Sequence, residues 1–94
     1  MTTTLDFATP YSPTDDAVES RLQDETVILH LGSGTYFGLD AVGTVIWEQL
    51  QNSQSPEAIC AHLRATFPDA PDTLEQDVSS FLQDLLTHEL IVAE

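Results

Sequence analysis

The sequence predicts an α+β domain in which three antiparallel strands come first and three helices follow. Two observations carry this. The β-branched, apolar run Glu25-Thr26-Val27-Ile28-Leu29-His30-Leu31 leads through Gly32-Ser33-Gly34 into a second short run, Thr35-Tyr36-Phe37-Gly38-Leu39, which is the pattern of a hairpin. Beyond Asp40 the apolar residues change from a period of two to helical spacing.

Residues 1–14 hold repeated threonines, Pro10 and Pro13 without apolar periodicity, and read as a flexible N-terminal arm before a domain over residues 15–94. Phe7 and Tyr11 are the residues able to pin that arm to the body. Asp15 to Leu22 gives a first strand carried only by Val18 and Leu22. Glu25 to Leu31 is the central strand, with Val27, Leu29 and Leu31 on one face and Ile28 and His30 on the other. Short turns on both sides make a meander, which leaves Thr35 to Leu39 at an edge. Proline in place of Phe37 is expected to delete a backbone donor there.

Asp40 is suited to cap a helix whose Val42, Val45, Ile46, Gln49 and Leu50 fall on one side beside Trp47. After the polar break Gln51 to Gln54, Ser55-Pro56-Glu57 starts a second helix with a capping serine, a proline in the first turn and an acid at the positive end of the dipole. Its expected stripe is Ile59, Leu63 and Phe67. Pro68-Asp69-Ala70-Pro71 ends it, and Asp72-Thr73-Leu74-Glu75 approximates a capping box for a third helix. There Leu74, Val78, Phe81, Leu82, Leu85 and Leu86 recur at helical intervals. Leu90-Ile91-Val92 closes the chain as an apolar tail or short strand.

Charge narrows the function classes. Sixteen carboxylates stand against two basic side chains, Arg21 and Arg64, for a formal net charge of −14 over 94 residues. Such a body repels phosphate backbones, which argues against nucleic acid and for a cationic or mixed-charge peptide or protein. A winged-helix nucleic-acid binder would need basic residues on its recognition helix, whereas Asp72 to His88 has none. No signal peptide or membrane-length apolar run is present, and a single cysteine suits a reducing cytoplasm, so a cytoplasmic protein is expected.

Catalytic chemistry is not evident. Gly32, Gly34 and Gly38 miss the dinucleotide spacing, and a chain without lysine has no Walker lysine. His30, His62 and His88 lie on separate elements without metal-ligand spacing, and Cys60 sits mid-helix as a small core residue. Adjacent acids such as Asp15-Asp16 and Asp24-Glu25 read as solvated. Nothing has the Asp-Ser-Leu setting of an acyl carrier protein. The expectation is a protein that is not an enzyme and uses no metal or cofactor.

The order of strand, glycine-rich turn, Tyr36-Phe37-Gly38-Leu39-Asp40, Val42-Gly43, Ile46-Trp47-Glu48-Gln49-Leu50, a Ser-Pro-Glu-Ala helix start and Asp77-Val78 before Phe81-Leu82 and Leu85-Leu86 resembles a known family. It is that of the pyrroloquinoline quinone biosynthesis protein D and its relatives, the leader-peptide recognition domains of ribosomally made, modified peptides. The resemblance covers Val27 to Leu90 and implies a winged-helix-like domain. It also implies that the leader of a precursor peptide adds as a strand beside Thr35 to Leu39, in the groove facing the third helix. The aromatic strand, Gly43 and Ile46-Trp47 are most similar to the free-standing B1 proteins of lasso-peptide pathways, which implies a separate B2 leader peptidase as partner. A radical SAM enzyme, served by the quinone-cofactor relatives, is the alternative.

The expected peptide site is therefore Thr35, Tyr36, Phe37, Gly38 and Leu39 on the edge, Val78, Phe81 and Leu85 as the helical wall, and Asp77, Asp84 and His88 at the rim. The same helical spacing serves a plain core equally well.

Overall fold

The computed structural model describes residues 5–23 and 25–93. Met1 to Thr4 of the expected arm, and Asp24 of the expected acidic pair, lie outside the described residues. The elements in order are β1 (Tyr11–Pro13), β2 (Ala17–Leu22), β3 (Glu25–His30), β4 (Thr35–Leu39), α1 (Ala41–Gln51), α2 (Pro56–Thr66), α3 (Leu74–Thr87) and β5 (Ile91–Ala93). The α+β class, three antiparallel strands followed by three helices, is as the sequence predicts.

β2, β3 and β4 form one antiparallel sheet with β3 at its centre. Register places Ile28 opposite Phe37 and Thr26 opposite Leu39. Thr26, Ile28, His30 and Leu39 are buried beneath the helices, together with Ile46, Trp47, Leu50, Ile59, Leu63, Val78, Leu82 and Leu85. The opposite sheet face is open. Val18, Leu29 and Tyr36 align across it in one row, and Val18 and Tyr36 are exposed. Leu31, expected to end the central strand, lies instead in the turn to β4 and is exposed, because that turn needs all of residues 31–34. Within it only Gly34 takes positive φ, at 70°, and the Ser33 N–H donates to Nδ1 of the buried His30 at 3.2 Å.

A buried hydrogen bond ties sheet to helices: the Thr26 and Thr44 hydroxyls meet at 3.0 Å between β3 and α1. On the rim of β2, Arg21 pairs with Glu48 of α1 at 2.7 Å, and Gln51 donates to Glu19. Gly43 is required for the close approach of α1 to β4. A Cβ there would lie 3.2 Å from Leu39 Cβ and 3.5 Å from the Phe81 ring.

Helix ends follow the expected chemistry with one exception. Asp40 accepts from the Gly43 N–H at 2.8 Å, and Ser55 accepts from Ala58 at 3.3 Å. At α3 the capping box does not form: Thr73 is the N-cap but its hydroxyl donates to Asp77 at 3.2 Å, and no side chain caps the helix. α3 ends in a left-handed Glu89, φ 59°. The Glu89 N–H returns to Leu86 O and the Leu90 N–H to Leu85 O, a Schellman closure that turns the chain back.

That reversal delivers β5 to β1, and the two pair antiparallel, Tyr11 with Ala93 and Pro13 with Ile91. The described part of the N-terminal stretch is thus fastened rather than loose. Leu5 and Tyr11 are buried, the Tyr11 N–H donates to Gln54 O, and Phe7 O accepts from Glu57 N–H. The reason is that Leu5, Phe7 and Tyr11, too sparse to show a period, each find an apolar site on the helical layer.

Two outcomes are expected in urea titrations. Thr44→Val leaves the Thr26 hydroxyl buried and unpaired and costs about 1–3 kcal/mol, while the Thr26→Val, Thr44→Val double variant costs less than the single one. Tyr11→Ala costs about 3 kcal/mol if the strap is integral, as its 6% exposure implies, and almost nothing if it is not.

Candidate functional site

The peptide groups of β3 decide what β4 has to offer. The Leu31 N–H donates to Asp16 O, on the β2 side, whereas His30 O accepts from Gly34 N–H, on the β4 side. Backbone groups alternate along a strand, so Thr26, Ile28 and His30 direct theirs to β4. Their partners there are Leu39, Phe37 and Thr35. Leu39 and Phe37 accordingly spend their N–H and C=O groups on β3, while at the hairpin end the Thr35 N–H donates to the Ser33 hydroxyl at 3.4 Å. Tyr36 and Gly38 are left with two donors and two acceptors pointing out of the sheet, on an edge that no further strand among the described residues covers. The open donors belong to Tyr36 and Gly38 and not to Phe37, a difference that the sequence could not give without the register.

Side chains do little to obstruct this edge. Gly38 has none, and the space where its Cβ would stand is open to 4 Å. Tyr36 is 69% exposed and turned to the outer face. Facing the helices, Phe37 is half buried and its ring lies 4.7 Å from that of His88 at the end of α3, tilted by 54°. This contact joins β4 to α3 at the hairpin end.

At the other end of β4 the two elements part around a cleft of about 690 Å³, in the range of roughly 300–1,000 Å³ typical of ligand sites. Leu39, Ile46, Val78 and Phe81 form part of its apolar lining, and Asp40, Asp69 and Asp77 stand in its wall. Of the residues expected from sequence, the cleft gathers Gly38, Leu39, Asp77, Val78 and Phe81. Thr35, Tyr36 and Phe37 belong to the strand alone, Asp84 is exposed on α3 outside the lining, and Leu85 is buried core. His88 reaches the site only through Phe37. Sequence reading missed a third wall, Phe67 with Asp69, Ala70 and Pro71. By spacing Phe67 belongs to the buried stripe of α2, but it is the C-cap of that helix and lines the cleft. The visible signal was an apolar residue set directly against a Pro-Asp-Ala-Pro break.

The electrostatics are one-sided. Arg64 pairs with Glu75 through its Nε at 3.2 Å and its terminal nitrogen. This holds the Glu75 carboxyl below the usual range and raises Arg64 further. Arg21 is engaged with Glu48. Neither arginine lines the cleft. Burial pushes the Cys60 thiol up, so it stays protonated at neutral pH. Among the described residues no group of three or more His, Cys, Asp or Glu side chains is placed to hold a metal ion, and no helix is long and apolar enough to cross a membrane.

Known proteins share this fold. The family model described as Coenzyme PQQ synthesis protein D (PqqD) matches residues 25–91, from β3 through the first residue of β5. The solved structure "TbiB1 in Complex with the TbiA(beta) Leader Peptide" is 41% identical, with a TM-score of 0.78 over 85% of this chain and 93% of that one. A second, "Lasso peptide synthetase B1 complexed with the leader peptide", is 17% identical with a TM-score of 0.76 over 88% of this chain and 98% of that one, and supports the fold alone. No curated protein matches. With some seven-tenths of its length under the family model, and that stretch containing the open edge, α1, α2 and α3, the chain belongs to the coenzyme PQQ synthesis protein D family.

Proposed function

We propose that this chain binds the leader peptide of a ribosomally made precursor by adding it as a strand to β4, and presents it to a separate processing enzyme. The observation that carries the reading is the pair of outward-facing peptide units at Tyr36 and Gly38, set above an apolar cleft. Each hydrogen bond formed there contributes roughly 0.5–1.5 kcal/mol net, and the cleft supplies the side-chain selectivity that backbone pairing lacks. The 41% identical relative, solved with a leader peptide, supports the same reading. Thr35 to Leu39 provide the docking strand, Val78 and Phe81 the wall, and Asp77 the rim, with Asp84 and His88 farther along α3.

The partner we favour is a B2 leader peptidase of a lasso-peptide pathway, working in the cytoplasm where the precursor is made. The chain itself is an adaptor without catalytic chemistry. A radical SAM enzyme is the second reading, favoured by the description of the matching family model. A nucleic-acid role is opposed by α3, which carries Glu75, Asp77 and Asp84 and no basic residue.

Gly38→Pro removes an outward donor and sets a ring on the open edge while sparing the β3 ladder, because proline is tolerated on a sheet edge. Isothermal titration with the leader of a precursor encoded beside this chain should show at least about tenfold weaker binding, near 1.4 kcal/mol, with the circular dichroism spectrum retained. Unchanged affinity would sink the strand-addition mechanism. Leader removal by a co-encoded peptidase should accelerate when this chain is added and lose that acceleration with Gly38→Pro. A peptidase indifferent to the chain would instead favour the radical-enzyme reading.

A further inference from the structure

The cleft at the end of β4 adds a charge requirement to its apolar one. A strand paired with β4 sends alternate side chains to the same two faces as β4 itself. Residues opposite Phe37 and Leu39 face α3, and those opposite Tyr36 and Gly38 face away, whichever direction the strand runs. The residue opposite Leu39 therefore enters the cleft, over Val78 and Phe81. The next inward-facing position, two residues along, passes beyond the end of β4 and comes to the side of the cleft where Asp40 begins α1.

Three carboxylates line the cleft: Asp40 at the cap of α1, Asp69 in the α2–α3 connection and Asp77 in the first turn of α3. All are exposed at the surface while the lining between them is apolar. Asp40 commits one oxygen to the Gly43 N–H, and Asp77 accepts from the Thr73 hydroxyl. Among the described residues no basic side chain is paired with any of the three. The sequence has only Arg21 and Arg64, and these are paired with Glu48 and Glu75. Opposite charge brought in by a guest is thus the available compensation for a like-charged rim around an apolar floor.

We propose that the cleft selects leader peptides in which a bulky apolar residue, seated over Val78 and Phe81, is spaced two residues from a lysine or arginine that meets Asp40, Asp69 and Asp77. The inference rests on the leader-binding reading above and specifies the chemistry of the leader. Aromatic or branched aliphatic side chains fill the floor. An acidic residue at the second position is rejected by the same carboxylates.

The test is selection of displayed random peptides, about 12 residues long, on the intact native chain at low salt. Enriched peptides should carry the apolar residue and a Lys or Arg two positions away. Changing that cation to Gln in a selected synthetic peptide should weaken binding about five- to tenfold at low salt and less at high salt. Asp69→Asn with Asp77→Asn should abolish the preference for a cation while keeping the apolar one. Asp15→Asn with Glu57→Gln, an equal change of charge outside the cleft, should keep both. Apolar enrichment without a cation, or a cation preference that survives Asp69→Asn with Asp77→Asn, overturns the proposal and leaves strand addition standing. No enrichment at all on the native chain overturns the leader-binding reading, and this proposal with it.

Discussion

The binding side of this molecule depends on the direction in which β3 points its peptide groups. Because Thr26, Ile28 and His30 pair with Leu39, Phe37 and Thr35, the outer groups of β4 can come only from Tyr36 and Gly38. A register slip of one residue would reverse this and would also bring Leu39 out of the core. Two constraints prevent it. Leu39 must fill the space beside Gly43, and the Thr26 hydroxyl must meet Thr44. The core and the open edge are thus specified by the same pairing, and neither can be altered alone.

Most of the fold was legible because its signals are local. Period-two runs around Gly32-Ser33-Gly34, the caps Asp40 and Ser55, and the long amphipathic run from Leu74 all act within a few residues of sequence. What the sequence concealed depends on distant partners. Tyr11 shows no periodicity, and its burial follows from β5, about eighty residues away, returning to it. Asp72 and Glu75 have the spacing of a capping box, yet the helix takes Thr73 as its N-cap and Arg64 on α2 takes Glu75, so the box is lost. In the candidate site the edge strand and α3 were readable. The α2–α3 wall was not, since Phe67 fits the helical stripe by spacing and leaves it only because the helix ends there.

The scarcity of positive charge organises the surface as well as the partner. Both arginines act as staples between elements, Arg21 from β2 to α1 and Arg64 from α2 to α3. Each is exposed, so each pair adds little stability of its own. Their effect is on specificity: with both engaged, the acidic face around the cleft is not diluted. A protein built this way repels copies of itself and of other acidic proteins, and discriminates by charge before any groove contact is made.

The pairing of β1 with β5 has a consequence for how the chain acquires its structure. The β2–β3–β4 meander and each helix join residues close in sequence and can form early, whereas the clasp joins residues 11–13 to residues 91–93 and must close a loop of nearly the whole chain. Closure therefore comes last. Until β5 arrives, Tyr11 is held only by the helical layer, where its N–H meets Gln54 O, and the other side of the clasp stays open to proteases.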